Sequence, residues 1–274
     1  AIRRLPTRSY RLTCRTRHHF VTSIALLVPA FNEAQAMART ALVMREALDA
    51  GVVSSATVLD GGSTDGTAEE ALQYGIRSLH IPSLQPELGP VLGKGDSLYR
   101  GVHAVPADWY VFLDADLGNI CIDHITALTQ HIGEPNVSFI KGGFVRVDEH
   151  GEPRDIPAGR VTELVGRPLL RRAAPQLTYL SQPLSGQVAI EGNLARSLSF
   201  VTGYGIEIAM LIDVFRLVGA DGIVEADMGT INNRYKPDDA LEDVRDQVLA
   251  GAALRIITMP DYGLVMHGQV TNRD

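Results

Sequence analysis

The stretch VFLDADLGN (residues 111–119) joins the end of an apolar run to two carboxylates one residue apart. The run at 109–113 has the composition of a strand that is buried on both faces of a sheet. Asp114 and Asp116 follow it at alternate positions, which point to the same side of an extended backbone. Carboxylates are hard oxygen donors of the kind that Mg²⁺ and Mn²⁺ prefer. The stretch predicts a buried strand ending at a cation site, with an aspartate-capped turn as the alternative.

Short apolar runs alternate with helical patterns through the first half of the chain. We predict strands at 23–30, 56–60, 77–81 and 109–113, and helices at 33–50, 64–74 and 95–105. This alternation indicates an α/β fold with a mostly parallel central sheet and helices on both faces. Ligands of such sheets lie beyond the carboxyl ends of the strands, where Asn32, Glu33 and Asp60 also fall.

The second half is less regular, and no linker composition separates it from the first. We predict strands at 137–147, 187–191, 223–227 and 229–234, and helices at 161–174, 206–218 and 239–257, with a kink at Pro168. The chain is therefore predicted to have one catalytic domain at 23–257, a basic arm at 1–22 and a tail at 258–274. The last predicted helix either packs on this domain or forms a dimer interface.

Composition narrows the class of protein. The 274 residues carry a net charge of −7, which argues against a nucleic-acid partner. No apolar run approaches the roughly 20 residues of a membrane span, so we expect no transmembrane segment. The arm has six arginines before Val21 and is expected to be mobile, with a membrane-surface contact as the alternative. Cys14 and Cys121 lack metal or disulfide spacing, so a cytoplasmic location is expected.

The glycine-rich segment DGGSTDGT (residues 60–67) follows the second predicted strand. It predicts a turn in which Ser63 or Thr64 caps the next helix, while Asp60 accepts hydrogen bonds from a base or ribose. The segment lacks the GxGxxG and GxxxxGK[ST] patterns. Dinucleotide-binding and P-loop sites are therefore disfavoured.

Three further charged residues stand at predicted helix starts. Lys94 lies between two glycines, where it would meet a phosphate or remain an exposed loop lysine. Arg160 offers a planar fork for a carboxylate or phosphate. Glu207 lies just inside an apolar helix, where it would complement the helix dipole or bind a sugar hydroxyl.

In order along residues 24–255, these segments resemble the glucosyl-3-phosphoglycerate synthase family of retaining glycosyltransferases, which have the Rossmann-like GT-A fold. The matching elements are LVPAFNEA, LDGGSTDGT, GKGDSLYRGV, VFLDADL, GRVTELVGRPLL, QPLSGQVA and GYGIEIAMLIDVF. The first, second and fourth elements are shared by a broad superfamily. GRVTEL, PLSG and GYGIEI are more specific to this family.

The resemblance and the motifs together give a set of expected site residues. The expected donor-binding residues are Pro29, Ala30, Phe31, Asn32, Glu33, Asp60, Gly61, Lys94, Asp114, Ala115, Tyr204 and Glu207. The expected acceptor-binding residues are Gly159, Arg160, Val161 and Thr162. Asp116, Glu207 and Lys94 are the expected catalytic residues, and Asp116 and Asn233 the expected metal ligands.

The resemblance implies hexose transfer from UDP-glucose to 3-phosphoglycerate, with retention, with Mg²⁺ or Mn²⁺ as cofactor, in a homodimer. A transferase that uses GDP-mannose, or another acceptor such as a polyprenyl phosphate, is the nearest alternative. A nucleotide-sugar-binding protein with little turnover is an alternative of a different class.

One segment departs from the family pattern. TINNRYKP (residues 230–237) stands where the family has a segment like VRAHRNRP, so Ile231, Asn233 and Tyr235 replace Arg, His and Asn. An asparagine carbonyl can ligate Mg²⁺ but lacks the affinity of imidazole for transition metals. The departure also removes two polar groups from the expected acceptor site. Arg234 and Lys236 would restore positive charge from shifted positions.

Overall fold

The computed structural model describes residues 22–156, 159–232 and 238–256, and within them a seven-stranded sheet. The strands are β1 (Ile24–Ala30), β2 (Ser55–Asp60), β3 (Arg77–His80), β4 (Trp109–Phe112), β5 (Phe139–Arg146), β6 (Val188–Glu191) and β7 (Ile223–Ile231). The helices are α1 (Ala34–Asp49), α2 (Thr67–Gln73), α3 (Lys94–Ala104), α4 (Ile122–Thr129), α5 (Arg167–Ala173), α6 (Gly192–Ser197), α7 (Ile206–Val218) and α8 (Asp238–Ile256).

The sheet has the strand order β3-β2-β1-β4-β6-β5-β7 and is mostly parallel, as predicted. β1 pairs in parallel with β2 and β4, β2 pairs in parallel with β3, and β5 pairs in parallel with β7. β6 is antiparallel to both of its neighbours, β4 and β5. This strand order brings the carboxyl ends of β1, β2 and β4 to one edge.

Both faces of the sheet are covered. In β1, Ala25 and Leu27 belong to one apolar cluster, which includes residues of α3, α6 and α7. Leu26 and Val28 belong to a second cluster on the opposite face, with residues of α1 and α4. Burial of a large apolar side chain contributes roughly 1.5–3 kcal/mol, so the near-continuous apolar run of this strand is explained by contacts on two sides.

Two segments differ from the predictions made from sequence. The helix predicted at 161–174 is divided into a π-helical turn at Thr162–Gly166 and α5. Pro168 lies directly after this π-helical turn, in the first turn of α5, and the kink expected there stays a prediction. The strands predicted at 223–227 and 229–234 form the single strand β7, in which Gly229 has φ +68°.

The C-terminal helix packs on its own domain. Val248 and Ala252 of α8 are buried in the core. Arg255 donates from Nε to Asp213 of α7 at 2.7 Å. No helix in the described parts of the chain has both the length and the apolar character to cross a membrane.

Hydrogen bonds of Arg100 and a close backbone contact at Gly95 hold α3 in place. Arg100 is buried and donates to the carbonyl oxygens of Leu84 at 2.6 Å and Gly89 at 2.9 Å. Its Nε also donates to Asp96 at 2.9 Å. A Cβ at Gly95 would lie 1.8 Å from the Val201 carbonyl oxygen. This close approach requires glycine and fixes the position of the residue before it, Lys94.

Candidate active site

A cleft of about 1290 Å³ opens at the carboxyl edge of the parallel strands. Pro29, Ala30 and Phe31 from the end of β1, and Gly61 after β2, form one part of its wall. The residues after β4, from Asp114 to Asp116, also line it. Three separate strand ends therefore meet in one cavity, as the topology of the sheet predicts.

A three-residue ion cluster occupies the cleft. Lys94, the first residue of α3, donates from Nζ to Asp114 Oδ1 and, at 2.7 Å, to Glu207 Oε1 in the first turn of α7. Burial opposes the charge on Lys94, but the two carboxylates outweigh it and raise its pKa. Its side chain is 14% exposed, so the exposed loop lysine considered above is wrong. The cluster presents a fixed ammonium between two helix starts.

The two aspartates of the strand-end pair have different surroundings. Asp114 accepts from Lys94 at Oδ1 and from Gln187 Nε2 at Oδ2, the latter at 2.8 Å. Both oxygens of Asp114 are thus engaged with side chains. Asp116 is half-buried and lines the cleft beside Glu33. Both aspartates line the cleft, and the expectation that Asp116 is the cation ligand stays a prediction.

The loop before β6 lies directly on this cluster. A Cβ at Gly186 would lie 2.2 Å from Lys94 Nζ and 2.4 Å from Asp114 Oδ1. The loop is tied to β5, because Ser185 donates from Oγ to the Gly142 carbonyl at 3.0 Å. Only a residue without a side chain fits between the ammonium and the backbone here.

Lys141 of β5 supports the same loop from within the protein. Its side chain is 1% exposed, and Nζ donates to the Ser185 carbonyl at 2.6 Å. Burial lowers the pKa of Lys141 to about 7, with nearby Lys94 acting in the same direction and Glu207 opposing. Sequence reasoning missed this residue, although a single lysine inside the apolar run SFIKGGF was a usable signal.

Asn32 and Asp60 are expected donor-binding residues that do not line the cleft. Their side chains accept hydrogen bonds within the turns. Asn32 has φ +55° and accepts at Oδ1 from the Thr64 N–H at 2.9 Å. Asp60 is buried and accepts at Oδ1 from the Ser63 N–H at 2.9 Å. These side chains shape the wall from behind. The expectation that Asp60 accepts from a base or ribose stays a prediction, and the structure adds that its Oδ1 is used within the turn.

The predicted cap of the second helix also differs. Neither Ser63 nor Thr64 caps α2, which begins after Gly66 with φ +93°. Ser63 Oγ accepts instead from the Asn32 N–H at 2.9 Å. Asp65 accepts from the Thr67 N–H at 3.1 Å. The segment thus ties the ends of β1 and β2 together.

Aromatic side chains stand at the cleft mouth. Phe31 is 62% exposed, and Tyr204 is 42% exposed. The backbone N–H of Tyr204 donates to Gln247 of α8 at 2.7 Å, so the last helix closes one side of the cleft. Exposed rings of this kind suit stacking against a planar base.

The expected acceptor residues divide into two groups. Gly159 and Arg160 line the cleft, whereas Val161 and Thr162 do not, and Thr162 is 3% exposed. Ile231, at the end of β7, is fully buried opposite Arg146 of β5. The guanidinium of Arg146 therefore lines the cleft beside the strand position that Ile231 occupies in β7.

Several residues of the departing segment are outside the described parts of the chain. These residues are Asn233, Arg234, Tyr235 and Lys236. The expected metal ligand Asn233 is therefore outside the described parts of the chain. Among the described residues, no three histidine, cysteine, aspartate or glutamate side chains form a group that could hold a metal ion.

The residues present fit a cation that is shared with a substrate. Asp116 supplies oxygen, the donor type that Mg²⁺ and Mn²⁺ prefer. Mg²⁺ typically uses one or two protein carboxylates together with substrate phosphate oxygens. Two carboxylates that follow one strand and line one cleft match that use.

Known proteins with similar sequences share one name. A protein named glucosyl-3-phosphoglycerate synthase from Mycobacterium tuberculosis (strain H37Rv) is 34% identical over 250 residues, 88% of this chain and 76% of its own length. One of the same name from Mycolicibacterium smegmatis is 33% identical over 234 residues, 83% of this chain and 76% of its own.

Solved structures give the same result. A crystal structure of the M. tuberculosis enzyme with Mn²⁺, UDP and glucosyl-3-phosphoglycerate superposes with a TM-score of 0.78 at 34% identity, covering 89% of this chain and 82% of that one. A second structure, with Mn²⁺, UDP-glucose and phosphoglyceric acid, has the same TM-score, identity and coverage.

Fold and cleft together define a metal-dependent glycosyltransferase with the GT-A fold, which confirms the class expected from the motifs. The model of glycosyl transferase family 2 matches residues 25–161, the part that carries the first five strands. With the relatives above, this match shows that the chain belongs to the glucosyl-3-phosphoglycerate synthase family of these transferases.

Proposed function

We propose that this chain transfers glucose from UDP-glucose to 3-phosphoglycerate, with retention at the anomeric carbon and with Mg²⁺ or Mn²⁺ as cofactor. One observation carries the proposal: Lys94, Asp114 and Glu207 form a buried ion cluster in a cleft that also holds Asp116 and Arg160. Relatives crystallised with UDP-glucose and phosphoglyceric acid support this choice of substrates.

The donor is assigned to the strand-end part of the cleft. Phe31 and Gly61 bound the space for the base, because their strand ends form one wall. Tyr204 and the α8 contact at Gln247 bound the opposite side. Lys94 and Glu207 are placed to hold the hexose and its leaving oxygen, since they are the charged side chains beside Asp114.

The chemistry requires balanced charge and protons. The 2-hydroxyl of the acceptor attacks the anomeric carbon, and the bond from that carbon to the diphosphate oxygen breaks. The hydroxyl proton passes to the departing phosphate oxygen on the same face, so no separate base is needed. Lys94 stabilises the negative charge that develops on the leaving group, and alignment of the acceptor supplies a further large part of the rate.

The cation belongs at Asp116 in this proposal. A bound divalent ion supplies positive charge against the leaving diphosphate. Asp114 orients Lys94, because Asp114 is itself held by Gln187. In this proposal Asp114 also meets the nucleotide sugar.

A donor and acceptor panel tests the function. The chain is assayed with UDP-glucose, GDP-glucose and GDP-mannose, each against 3-phosphoglycerate and a polyprenyl phosphate, at several Mg²⁺ and Mn²⁺ concentrations. We expect turnover with UDP-glucose and 3-phosphoglycerate, and an α-linked product by NMR. UDP binding without consumption of any donor would instead identify a binding protein, and turnover only with the lipid phosphate would overturn the acceptor assignment. The cytoplasmic location and the homodimer stay predictions.

A further inference from the structure

Three arginines approach the acceptor end of the cleft, and sequence motifs point to only one of them. Arg160 belongs to the GRVTEL motif. Arg146 is at the end of β5, and Arg154 follows a turn that reverses the chain after this strand. All three line the cleft.

Arg146 and Arg154 are neighbours by backbone pairing. The Arg154 N–H donates to the Arg146 carbonyl at 3.0 Å, and Arg154 Nε donates to the Val147 carbonyl at 3.1 Å. Val147 and Pro153 form a bridge inside the same turn. Cross-strand neighbours of like charge repel each other, so this turn holds two guanidinium groups together at a cost.

Arg146 is fixed in position and retains donor capacity. Its guanidinium lies 6.0 Å from the centre of the Phe144 ring, and a Cβ at Gly159 would lie 3.3 Å from its Cζ. Its Nε is buried and has no hydrogen-bond partner in the structure. A buried, unsatisfied N–H of a cation is costly unless an anion accepts from it.

Arg146 lines the same cleft as Asp114 and Asp116, and its charge interacts with theirs. Burial lowers its pKa most, Arg154 lowers it further, and the carboxylates of Asp114 and Asp116 oppose this. Arg146 therefore lies within electrostatic reach of the carboxylate pair after β4. Gly159 lies against the Arg146 guanidinium and is followed directly by Arg160.

We propose that Arg146 and Arg154 form a carboxylate subsite for the acceptor, with the acceptor's phosphate held at Gly159 and Arg160. This inference rests on the proposed function, because 3-phosphoglycerate has two anionic groups. Its carboxylate is bonded to the carbon that carries the reacting 2-hydroxyl, whereas its phosphate is one carbon further away. Arg146, whose charge interacts with that of Asp116, is thus the arginine suited to the carboxylate, and it orients the 2-hydroxyl toward the donor.

Two acceptors that differ in the carboxylate test the subsite. 3-Phosphoglycerate has it, and glycerol 3-phosphate has a CH₂OH group in its place. We expect Arg146→Met to lower kcat/KM for 3-phosphoglycerate by about 30-fold, the loss typical of a charged hydrogen-bond partner. For glycerol 3-phosphate, we expect a loss at least about tenfold smaller. Arg146→Lys should restore part of the difference.

Matched variants keep the outcome clear. Arg171→Met, on the exposed side of α5, should change neither acceptor's kinetics. If Arg146→Met fails to fold, Arg154→Met gives the same comparison from the exposed turn. Equal losses for both acceptors in the variant that folds would overturn the subsite. If the wild type glucosylates neither acceptor, the proposed function fails instead, so the two failures are distinguishable.

Discussion

The proposed donor part and the proposed acceptor part of the cleft are built in different ways. The donor wall is made by the ends of β1 and β2, which are tied together through Asn32, Asp60 and Ser63. The acceptor end is made by the guanidinium groups of Arg146 and Arg160 at the ends of long side chains. Substitutions in hydrogen-bonded turns disturb the backbone of the wall, whereas a single arginine can be replaced without moving the backbone. We therefore expect the choice of acceptor to be altered by substitution more easily than the choice of donor.

Loss of Asp116 should give the largest effect. Asp116→Ala removes the cleft-facing carboxylate from the proposed cation site, and we expect turnover to fall by about 10³-fold or more. Thermal unfolding should change little, because the half-buried side chain contributes little packing. Steady-state assays across a Mn²⁺ titration measure the loss. Asp221→Ala, at an exposed turn, is the control, and a variant that keeps wild-type turnover would remove Asp116 from the cation site.

A methyl group at Gly186 probes the boundary between the two parts. In Gly186→Ala the new Cβ meets Lys94 Nζ and Asp114 Oδ1 at 2.2 and 2.4 Å, so the ion cluster must shift. A displacement of this size costs about 100-fold in kcat/KM. In the control Gly133→Ala, the Cβ meets nothing within 4 Å, so turnover should be retained, although the φ of +94° at this position should lower stability. Equal activities of the two variants would show that the cluster does not need its present position.

Removal of Arg160 acts on the acceptor part alone. For Arg160→Ala we expect the KM for 3-phosphoglycerate to rise by about 30-fold, because a charged partner of the phosphate is lost. The Kd for UDP, measured by calorimetry, should stay within about twofold of the wild-type value, since the donor wall is built from other strands. Arg171→Ala serves as the matched control. A weakened UDP affinity with an unchanged acceptor KM would reverse the assignment of the two parts.

Sequence reasoning succeeded where a residue's position in the fold follows from local pattern. The apolar strands and the residues after them locate Asp114, Asp116 and Gly61 at one edge of the sheet. The same patterns do not give the direction of a side chain. They predict Asn32 and Asp60 in the donor site, but they do not predict that Oδ1 of each accepts from a backbone N–H group of the turn.

The acceptor part was less predictable because it depends on non-local packing. Arg146 reaches the cleft because β5 lies between β6 and β7, and that order follows from no short motif. Through the same strand order, Gln187 reaches the ion cluster and Lys141 reaches the loop beside it. Hydrogen bonds between residues more than forty positions apart have no signature in a local pattern.

The smallest effect concerns Lys141, which supports the shared loop between the two parts. Burial holds its pKa near 7, below the value of about 10.5 for an unfolded lysine. Above pH 7 the unfolded chain therefore binds more protons than the folded chain at this residue, and stability rises with pH until about 10.5. This residue alone should add up to about 1.4 kcal/mol per pH unit within that window.

Lys141→Met isolates this contribution, because methionine fills similar space without a titratable group. The difference in unfolding free energy, wild type minus variant, should increase between pH 7 and pH 9 in urea titrations. The variant also loses the bond to the Ser185 carbonyl, so kcat should fall about 3- to 10-fold as the loop over Lys94 loosens. A pH-independent stability difference would show that Lys141 stays charged when buried. In that case the neighbouring carboxylates of Glu207 and Asp114 would outweigh the effect of burial, and the ion cluster would extend beneath both parts of the cleft.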